Sequence, residues 1–588
     1  MKNLLALCVV LLTLAASAVE RECIWPDGKM PDPQPHLIAA MTDVAGQKDF
    51  KADEWRRPYL EWSEKPANFN GCCLILISGG GYFNCCDVGL VRDWEKRFRE
   101  AGFQCVNFVY RTPRPTGLPF YQTAWEDGQR AVRVVRSQAA RRGYDPEKIG
   151  TISMSAGSHL ATLLATSSQT PAYPAVDETD AISAHLNWAI TGAIAYGMTD
   201  GLGVANSRNG QAVDATLDSI FKFDAKTAPM CMFHGSEDPY SPMTSTFVYR
   251  NLRRHKVPAE LHLFADRSHG FWGGNPNKDN STAYDNWFDR AHEFLTQLGV
   301  LGPLAPEEDV MKRYAKDFHD STKYVKANLW PDGKIPDIQQ NQNVPYLEWF
   351  IPSNLTTKAI QIVYSGGAYF RNDPDGFEVV PARRFLNEKG MAVVTMRYRM
   401  PRPAAPLAKH TTAWQDLQRC IRIVRSEAAA KGLDPNRIGI MGSSAGGHLT
   451  LMGVTSSRSR AYANVDNIDK IPCNVQWGVG IYPAYALTDG GEKPNARGGN
   501  EDDARLVPEF AFDPDTCPMV FIHGDADGWA AMNSVKTWEQ MRRMGLGSDL
   551  HTLCRRNHCF QRKASPGTGS SSWLGRIWEF MNHKGFNR

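Results

Sequence analysis

The chain repeats itself at a fixed interval, and this limits what it can fold into. Ser155, Asp238 and His269 recur as Ser444, Asp527 and His558, and 444 − 155, 527 − 238 and 558 − 269 are all 289. Other segments return too. Trp25-Pro26-Asp27-Gly28-Lys29 reappears as Trp330-Pro331-Asp332-Gly333-Lys334, and Pro58-Tyr59-Leu60-Glu61-Trp62 as Pro345-Tyr346-Leu347-Glu348-Trp349. These earlier offsets differ, which puts extra residues in the first copy near Ala39 to Arg56. From Trp125 and Trp414 onward the interval is constant. Each copy is about 280 residues long and already domain-sized, so a solenoid is excluded. A chain of 588 residues is also too long for one core. We expect domains at 19–302 and 327–588. Between them, 303–326 is a charged connector that opens with two prolines and has a helical stretch near Val310 to Tyr314.

Within each copy, short apolar runs alternate with longer helical patterns. In copy one the runs are Leu74 to Ile77, Val106 to Tyr110, Ile149 to Ser153, Trp188 to Ile194 and Met230 to Phe233. They are nearly continuous rather than alternating, as parallel strands covered on both faces require. From Asp127 to Ala140, helical spacing gathers Ala131, Val132, Val135 and Ala139 on one face and turns Arg130, Arg133 and Arg136 outward. Copy two repeats this at Asp416 to Ala429. The pattern predicts an α/β class, with each domain a mostly parallel sheet flanked by helices.

Gly442-Ser443-Ser444-Ala445-Gly446 fits G-x-S-x-G between a strand and a helix, a tight turn that needs small neighbours two residues either side. Copy one reads Ser153-Met154-Ser155-Ala156-Gly157, with serine in place of the first glycine. A serine hydroxyl needs an imidazole to take its proton and a carboxylate to orient that imidazole. Asp238 and Asp527 follow strands ending His234-Gly235 and His523-Gly524, and His269 and His558 lie in loops before the last helix of each copy. Glu237 and Asp525 compete for the acid role, but only Asp238 and Asp527 keep the interval with an acid in both copies. Ser78-Gly79-Gly80-Gly81-Tyr82 and Ser365-Gly366-Gly367-Ala368-Tyr369 follow apolar strands. Their backbone amides, at Gly80, Gly81, Gly367 and Ala368, together with Ala156 and Ala445, are the expected oxyanion hole.

Other residues have duller readings. His159 and His448, one helical turn past each serine, are expected to pack or hydrogen-bond, and His234 and His523 to be structural. Arg111 and Arg399 are expected to pair with Asp127 and Asp416, tethering a loop to the following helix. Trp272 and Trp529 either stack on substrate or pack their loops. Cys72, Cys73, Cys85 and Cys86, and Cys554 with Cys559, are disulfide candidates if the chain is exported, and small buried hydrophobes otherwise. No cysteine pair has zinc-site spacing.

These motifs, with Tyr110-Arg111-Thr112-Pro113, Tyr398-Arg399-Met400-Pro401 and Gly447-His448-Leu449, resemble the α/β-hydrolase esterases of the hormone-sensitive-lipase-like and bacterial feruloyl/acetyl-xylan esterase group. The resemblance covers most of each copy. It implies two tandem α/β-hydrolase domains that hydrolyse carboxylic esters, with acetyl or feruloyl groups on plant polysaccharides as the substrate class, and no metal or organic cofactor. The departures are a serine opening each glycine loop, Ala368 for its last glycine, and Cys559 where copy one has Gly270. Lys2, the apolar run Leu4 to Ala15 and Ala16-Ser17-Ala18 read as a secretory signal over residues 1–18, placing the mature protein outside the cell or in a periplasm. No later segment is apolar enough to span a membrane. The net charge of +3 gives no support for a nucleic-acid partner. The alternatives are a degenerate copy that only binds carbohydrate, and a serine peptidase. No propeller-type repeat precedes either copy, which counts against the peptidase. The oligomeric state is left open.

Overall fold

The computed structural model describes residues 20–39, 57–85, 88–199, 216–270, 283–314, 323–488 and 504–588. The expected signal, most of the extra segment in copy one, Cys86 and Trp272 lie outside the described residues. By contacts the chain falls into two compact units, Met1–Ile152 with Gln169–His185, and Ser153–Ser168 with Leu186–Arg588. No helix of the described residues is long and apolar enough to cross a membrane.

In the first unit, Cys73–Ile77 is buried at every position and runs parallel to Gln104–Val109, which pairs antiparallel with Tyr59–Trp62; that strand in turn pairs with Glu20–Cys23. The repeated Pro-Tyr-Leu-Glu-Trp motif is therefore an inner strand next to an edge. The expected tether is present: Arg111 Nε donates to both Asp127 oxygens at 2.9 and 3.0 Å. Trp25 of the other repeated motif joins it, donating from Nε1 to Asp127 at 2.8 Å. Two of the three arginines expected to face outward, Arg130 and Arg133, do not. The helix is Gln122–Ser137, and Arg130 is only 3% exposed. It reaches Asp177 at 2.7 Å and Asp180 at 3.1 Å, while Arg133 donates to the Ile182 carbonyl and the Tyr173 hydroxyl. A capped turn at Glu178–Ala181 covers this helix face, and its acids make burying the guanidinium tolerable.

The second unit carries a long mixed sheet. Trp188–Gly192, Met230–Gly235 and Ala259–Phe264 are parallel neighbours. Asp549–Leu553, Met519–Gly524, Trp477–Ile481, Ile438–Ser443, Ile360–Tyr364 and Ala392–Arg397 form a second parallel run, closed by antiparallel Tyr346–Ile351 and Lys323–Asn328. The near-continuous apolar strands are buried end to end, as their sequence pattern predicts. Trp477, Val479, Ile481 and Ile522 form a core with Trp573, Ile577 and Phe580 of the last helix, Gly569–Lys584. Met311–Tyr314 is the short helix expected in the connector, and Glu308–Asp309 just before it pairs with Lys563–Ala564.

The sequence did not foretell how the two parallel runs join. Ala259–Phe264 pairs antiparallel with Asp549–Leu553, setting His262 opposite His551. These residues are 289 apart, so equivalent positions of the two copies face each other. Arg250 pairs with Glu539 and Arg290 with Glu579 at the same interval. The pairing covers a strand edge in each copy, removing two templates for aggregation. Between the strands, His262 Nδ1 lies 3.1 Å from His551 Nδ1, and its Nε2 lies 3.0 Å from Glu260. Burial holds both imidazoles well below their ordinary value, so only one of the facing nitrogens carries a proton.

Burial also pushes the Glu260 carboxyl up to about 8, with Arg576 opposing. For an acid whose folded pKa is raised, the penalty is absent below the unfolded value of about 4.3. It grows as pH rises and is complete above the folded value. Glu260→Gln keeps an acceptor for the Cys554 amide, now bonded at 2.9 Å, and removes the charge. Its thermal midpoint should exceed that of the parent by a few degrees at about pH 9 and match it at about pH 5. Equal midpoints at both pH values would contradict this.

Candidate active sites

Each nucleophile ends a buried strand and opens a buried helix: Ile149–Met154 with Ala156–Thr166, and Ile438–Ser443 with Ala445–Thr455. Ser155 has φ 57° and ψ −124°, and Ser444 φ 55° and ψ −119°. Such a conformation costs a non-glycine residue about 1–3 kcal/mol. Backbone bonds hold it, from Ser155 N to the Gly192 carbonyl at 2.9 Å and from Ser444 N to that of Ile481 at 3.0 Å. The flanking small residues are a packing requirement. A Cβ on Gly442 would sit 2.4 Å from the Gly446 carbonyl oxygen. Ser153, in the same place in copy one, fits by bonding Ser158 Oγ at 3.1 Å and the Ile190 carbonyl at 3.2 Å.

The loops then bring the distant partners in. His269 Nε2 lies 2.8 Å from Ser155 Oγ, and its Nδ1 lies 2.8 and 3.0 Å from the Asp238 oxygens. His558 Nε2 lies 2.8 Å from Ser444 Oγ, and its Nδ1 2.8 Å from Asp527 Oδ2. Burial alone would push both carboxyls up. Hydrogen bonds from His234 and His269 to Asp238, and from His523 and His558 to Asp527, instead hold them well below the usual carboxylate range, so both stay ionised. His234 and His523 are themselves fixed by Ser245 and Ser534 at 2.8 Å and by the carbonyls of Tyr240 and Trp529 at 2.9 Å. Their structural task is to seat the acid. The competing acids are occupied elsewhere: Ser236 Oγ donates to Glu237 at 3.2 Å, and Asp525 takes the Tyr249 hydroxyl at 3.2 Å.

In copy two the glycine loop lies against the nucleophile. A Cβ on Gly366 would stand 2.6 Å from the Ser443 carbonyl oxygen and 2.7 Å from Ser444 Cβ. The Gly366 amide is used by buried Glu378, at 2.8 Å, and is not one of the two loop donors expected from sequence, Gly367 and Ala368. Ala445 opens the helix, where its N–H has no intrahelical acceptor. Gly367, Ala368 and Tyr369 have φ 105°, 56° and 61°, and Gly80, Gly81 and Tyr82 have φ 120°, 64° and 62°. The two loops thus share one run of left-handed residues, and Ala368 accepts strain that Gly81 avoids. Gly366→Ala should lower kcat at this site about 10²-fold with a smaller change in KM, because the donors shift more than the substrate contacts. A variant with kcat intact would show that the loop can move without cost.

Sequence reasoning missed a network behind Ser444. Ser443 Oγ donates to Gln561 at 3.0 Å, and Tyr482, close to Gln561, donates to Glu378 at 3.0 Å. Trp529, flagged from sequence, stands near His558 at 6.5 Å between ring centroids, and Tyr240 lies 4.7 Å from His269 in copy one. The two positions are 289 apart, so each site has an aromatic wall of different size. Cys554 and Cys559 are free thiols, not a bridge; Cys554 is buried at a strand end, while Cys559 sits beyond His558 with φ 61°. Cys72, Cys73 and Cys85 are buried. Among the described residues, two side-chain groups bring metal-ligating atoms together: Cys231 with Glu260 and His262, and His410 with His448 and Glu509.

A family model described as BD-FAE matches residues 64–251 and again 347–540. The acetylxylan esterase of Xylanibacter ruminicola is 36% identical over 138 residues, 23% of this chain and 25% of that protein. Endo-1,4-beta-xylanase B of Butyrivibrio fibrisolvens is 26% identical over 212 residues, 34% of this chain and 33% of that protein. The chain thus spans a quarter to a third of the length of these curated relatives. Among solved structures, the acetyl ester-xyloside bifunctional hydrolase from Caldicellulosiruptor lactoaceticus has 23% identity and a TM-score of 0.37, over 45% of this chain and 97% of that one. The butyrate-bound thermophilic esterase from Thermogutta terrifontis has 25% identity and a TM-score of 0.36, over 43% and 94%.

Proposed function

The chain belongs to the BD-FAE family, and on that premise we propose that it is an exported serine carboxylesterase. It removes acetyl or feruloyl-type groups from plant polysaccharides, with a working triad in each of two tandem domains, 19–302 and 327–588. The observation that carries this reading is the doubled arrangement: Ser, His and ionised Asp in hydrogen-bonded line, with both Ser–His distances at 2.8 Å. The names of the relatives, an acetylxylan esterase and a xylanase, support the substrate class.

The chemistry follows from the geometry. Ser Oγ attacks the ester carbonyl carbon while His Nε2 takes its proton, and Asp at Nδ1 stabilises the imidazolium. The carbonyl oxygen becomes an oxyanion facing the amides of Gly367, Ala368 and Ala445 in copy two. As the intermediate collapses, the imidazolium gives its proton to the departing sugar oxygen and an acyl-serine remains. Water, deprotonated by the same imidazole, attacks that acyl carbon, and the serine takes back the proton as the acid leaves. Tyr240 and Trp529, beside the two triad histidines, are the aromatic surfaces that would meet the acyl or sugar group.

The test is release of free acetate and ferulate from a panel of acetylated and feruloylated polysaccharides by the full chain. Release from at least one polymer, lost when both nucleophiles are replaced, is the expected result. Turnover of small esters without release from any polymer would overturn the substrate class.

A further inference from the structure

Copy two contains a side-chain cluster that its own triad does not use. His410 precedes the helix Thr411–Ala428, His448 lies on Ala445–Thr455, and Glu509 is in the loop that follows the second repeat's fourth parallel strand. Their ligand atoms all lie within 4.8 Å of one another. His448 Nε2 is 3.4 Å and His410 Nδ1 3.8 Å from the same oxygen, Glu509 Oε1. Neither nitrogen makes a well-aligned hydrogen bond, although both are buried. Two donors each about 2.1 Å from a tetrahedral ion stand about 3.4 Å apart, close to these separations.

We propose that His410 Nδ1, His448 Nε2 and Glu509 bind a divalent transition cation of the zinc class, leaving its fourth position open to water. Two imidazoles and one carboxylate are a donor set suited to that class. The other ring nitrogen of His448, Nδ1, is 2.8 Å from the Tyr369 hydroxyl, which can accept its proton and fix the tautomer that turns Nε2 to the metal. Glu509 and His410 are 18% and 16% exposed, which gives an ion a way in. Lys409 is drawn aside onto the Tyr485 ring, 4.4 Å from its centroid.

Copy one is an internal control. Positions 410, 448 and 509 correspond to Tyr121, His159 and Ile220 at the constant interval. The backbone is the same at the third position, since Ser167 Oγ bonds the Ile220 carbonyl and Ser456 Oγ that of Glu509, both at 2.8 Å. Only the ligand side chains differ, so the ion belongs to copy two alone. The other cluster, Cys231–Glu260–His262, is closed by comparison, with both His262 nitrogens in hydrogen bonds. Because Tyr369 directly follows Ala368, the ion would also brace the loop that carries the oxyanion donors of Ser444.

Full-length protein stripped with chelator and titrated with Co²⁺ tests this without reference to esterase activity. One equivalent should develop the visible d–d bands of a four-coordinate site, with no thiolate charge-transfer band. His410→Gln and Glu509→Gln should each lose that spectrum while keeping the parent's thermal midpoint in chelator, which shows that the variants are folded. No bound cobalt, a spectrum unchanged in both variants, or a thiolate band pointing to Cys231 would overturn the proposal.

Discussion

Replacing both nucleophiles, Ser155→Ala with Ser444→Ala, is expected to lower the rate of ester hydrolysis about 10⁴- to 10⁶-fold. Losses of that size follow when a triad loses its attacking group, since the imidazole and acid then have nothing to activate. Each single replacement removes only its own copy's rate, because the triads share no residue and the two single-variant rates should sum to that of the parent. The measurement is kcat and kcat/KM on a chromogenic acetyl ester for the parent, both singles and the double. A double variant within tenfold of the parent would rule out both serines as nucleophiles. A single variant as inactive as the double would assign all turnover to one copy and leave the other a binding role. Folding is not at issue, because alanine keeps the turn and loses only the hydroxyl bonded to His269 or His558 at 2.8 Å. The strain of φ 57° and 55° stays in every variant.

What the sequence made legible is what a local pattern or the repeat interval records. The proposed chemistry needs three side-chain types in contact, and the repeat keeps their interval, so Ser155, Asp238, His269 and their counterparts, which the structure brings together, could be picked out from the sequence. Continuous apolar runs were likewise legible as strands covered on both faces. Arg130 was misread because helical periodicity reports only the helix's own faces. The acids that bury it, Asp177 and Asp180, arrive from a turn some fifty residues on. The pairing of Ala259–Phe264 with Asp549–Leu553 was invisible for a related reason: an edge strand buried by a partner copy and one covered by a helix carry the same apolar pattern. Glu378 and Gln561 carry no motif, since a residue behind the nucleophile needs only to reach a hydrogen bond from wherever the chain happens to pass. Tyr121 against His410 and Ile220 against Glu509 are visible in the aligned copies, but their meaning appears only once the fold brings 410, 448 and 509 together.

The largest stability effect is expected at Asp416. Its carboxylate is fully buried and accepts from Arg399 Nε at 2.9 and 3.0 Å, from the Arg399 backbone at 2.7 Å and from Trp330 Nε1 at 2.8 Å. Burial pushes this carboxyl up and the guanidinium opposes it. Asp416→Ala leaves Arg399, itself 0% exposed, with neutral partners only, the Thr412 carbonyl and Gln415 at 3.0 and 2.9 Å among them. Stranding a buried charge in this way costs about 3–5 kcal/mol, a fall of about 3–6 °C in the midpoint of a unit of this size. The loss should reach catalysis too. Tyr398, next to Arg399, donates from its hydroxyl to the carbonyls of Ser365 and Gly366 at 3.1 Å, so a freed segment loosens the glycine loop beside Ser444. Copy one offers a contrast. There Arg111 meets Asp127 and also Glu126, which stands at the place of Gln415 and is 3.0 Å from the guanidinium. Burial pushes the Glu126 carboxyl up to about 8, so it can release its proton and take over the charge when Asp127 is removed. Asp127→Ala should therefore cost clearly less than Asp416→Ala in thermal unfolding at neutral pH. Below about pH 5, where Glu126 stays protonated even beside an unpaired guanidinium, the two losses should converge. Equal losses at neutral pH would mean that Glu126 does not substitute for its neighbour.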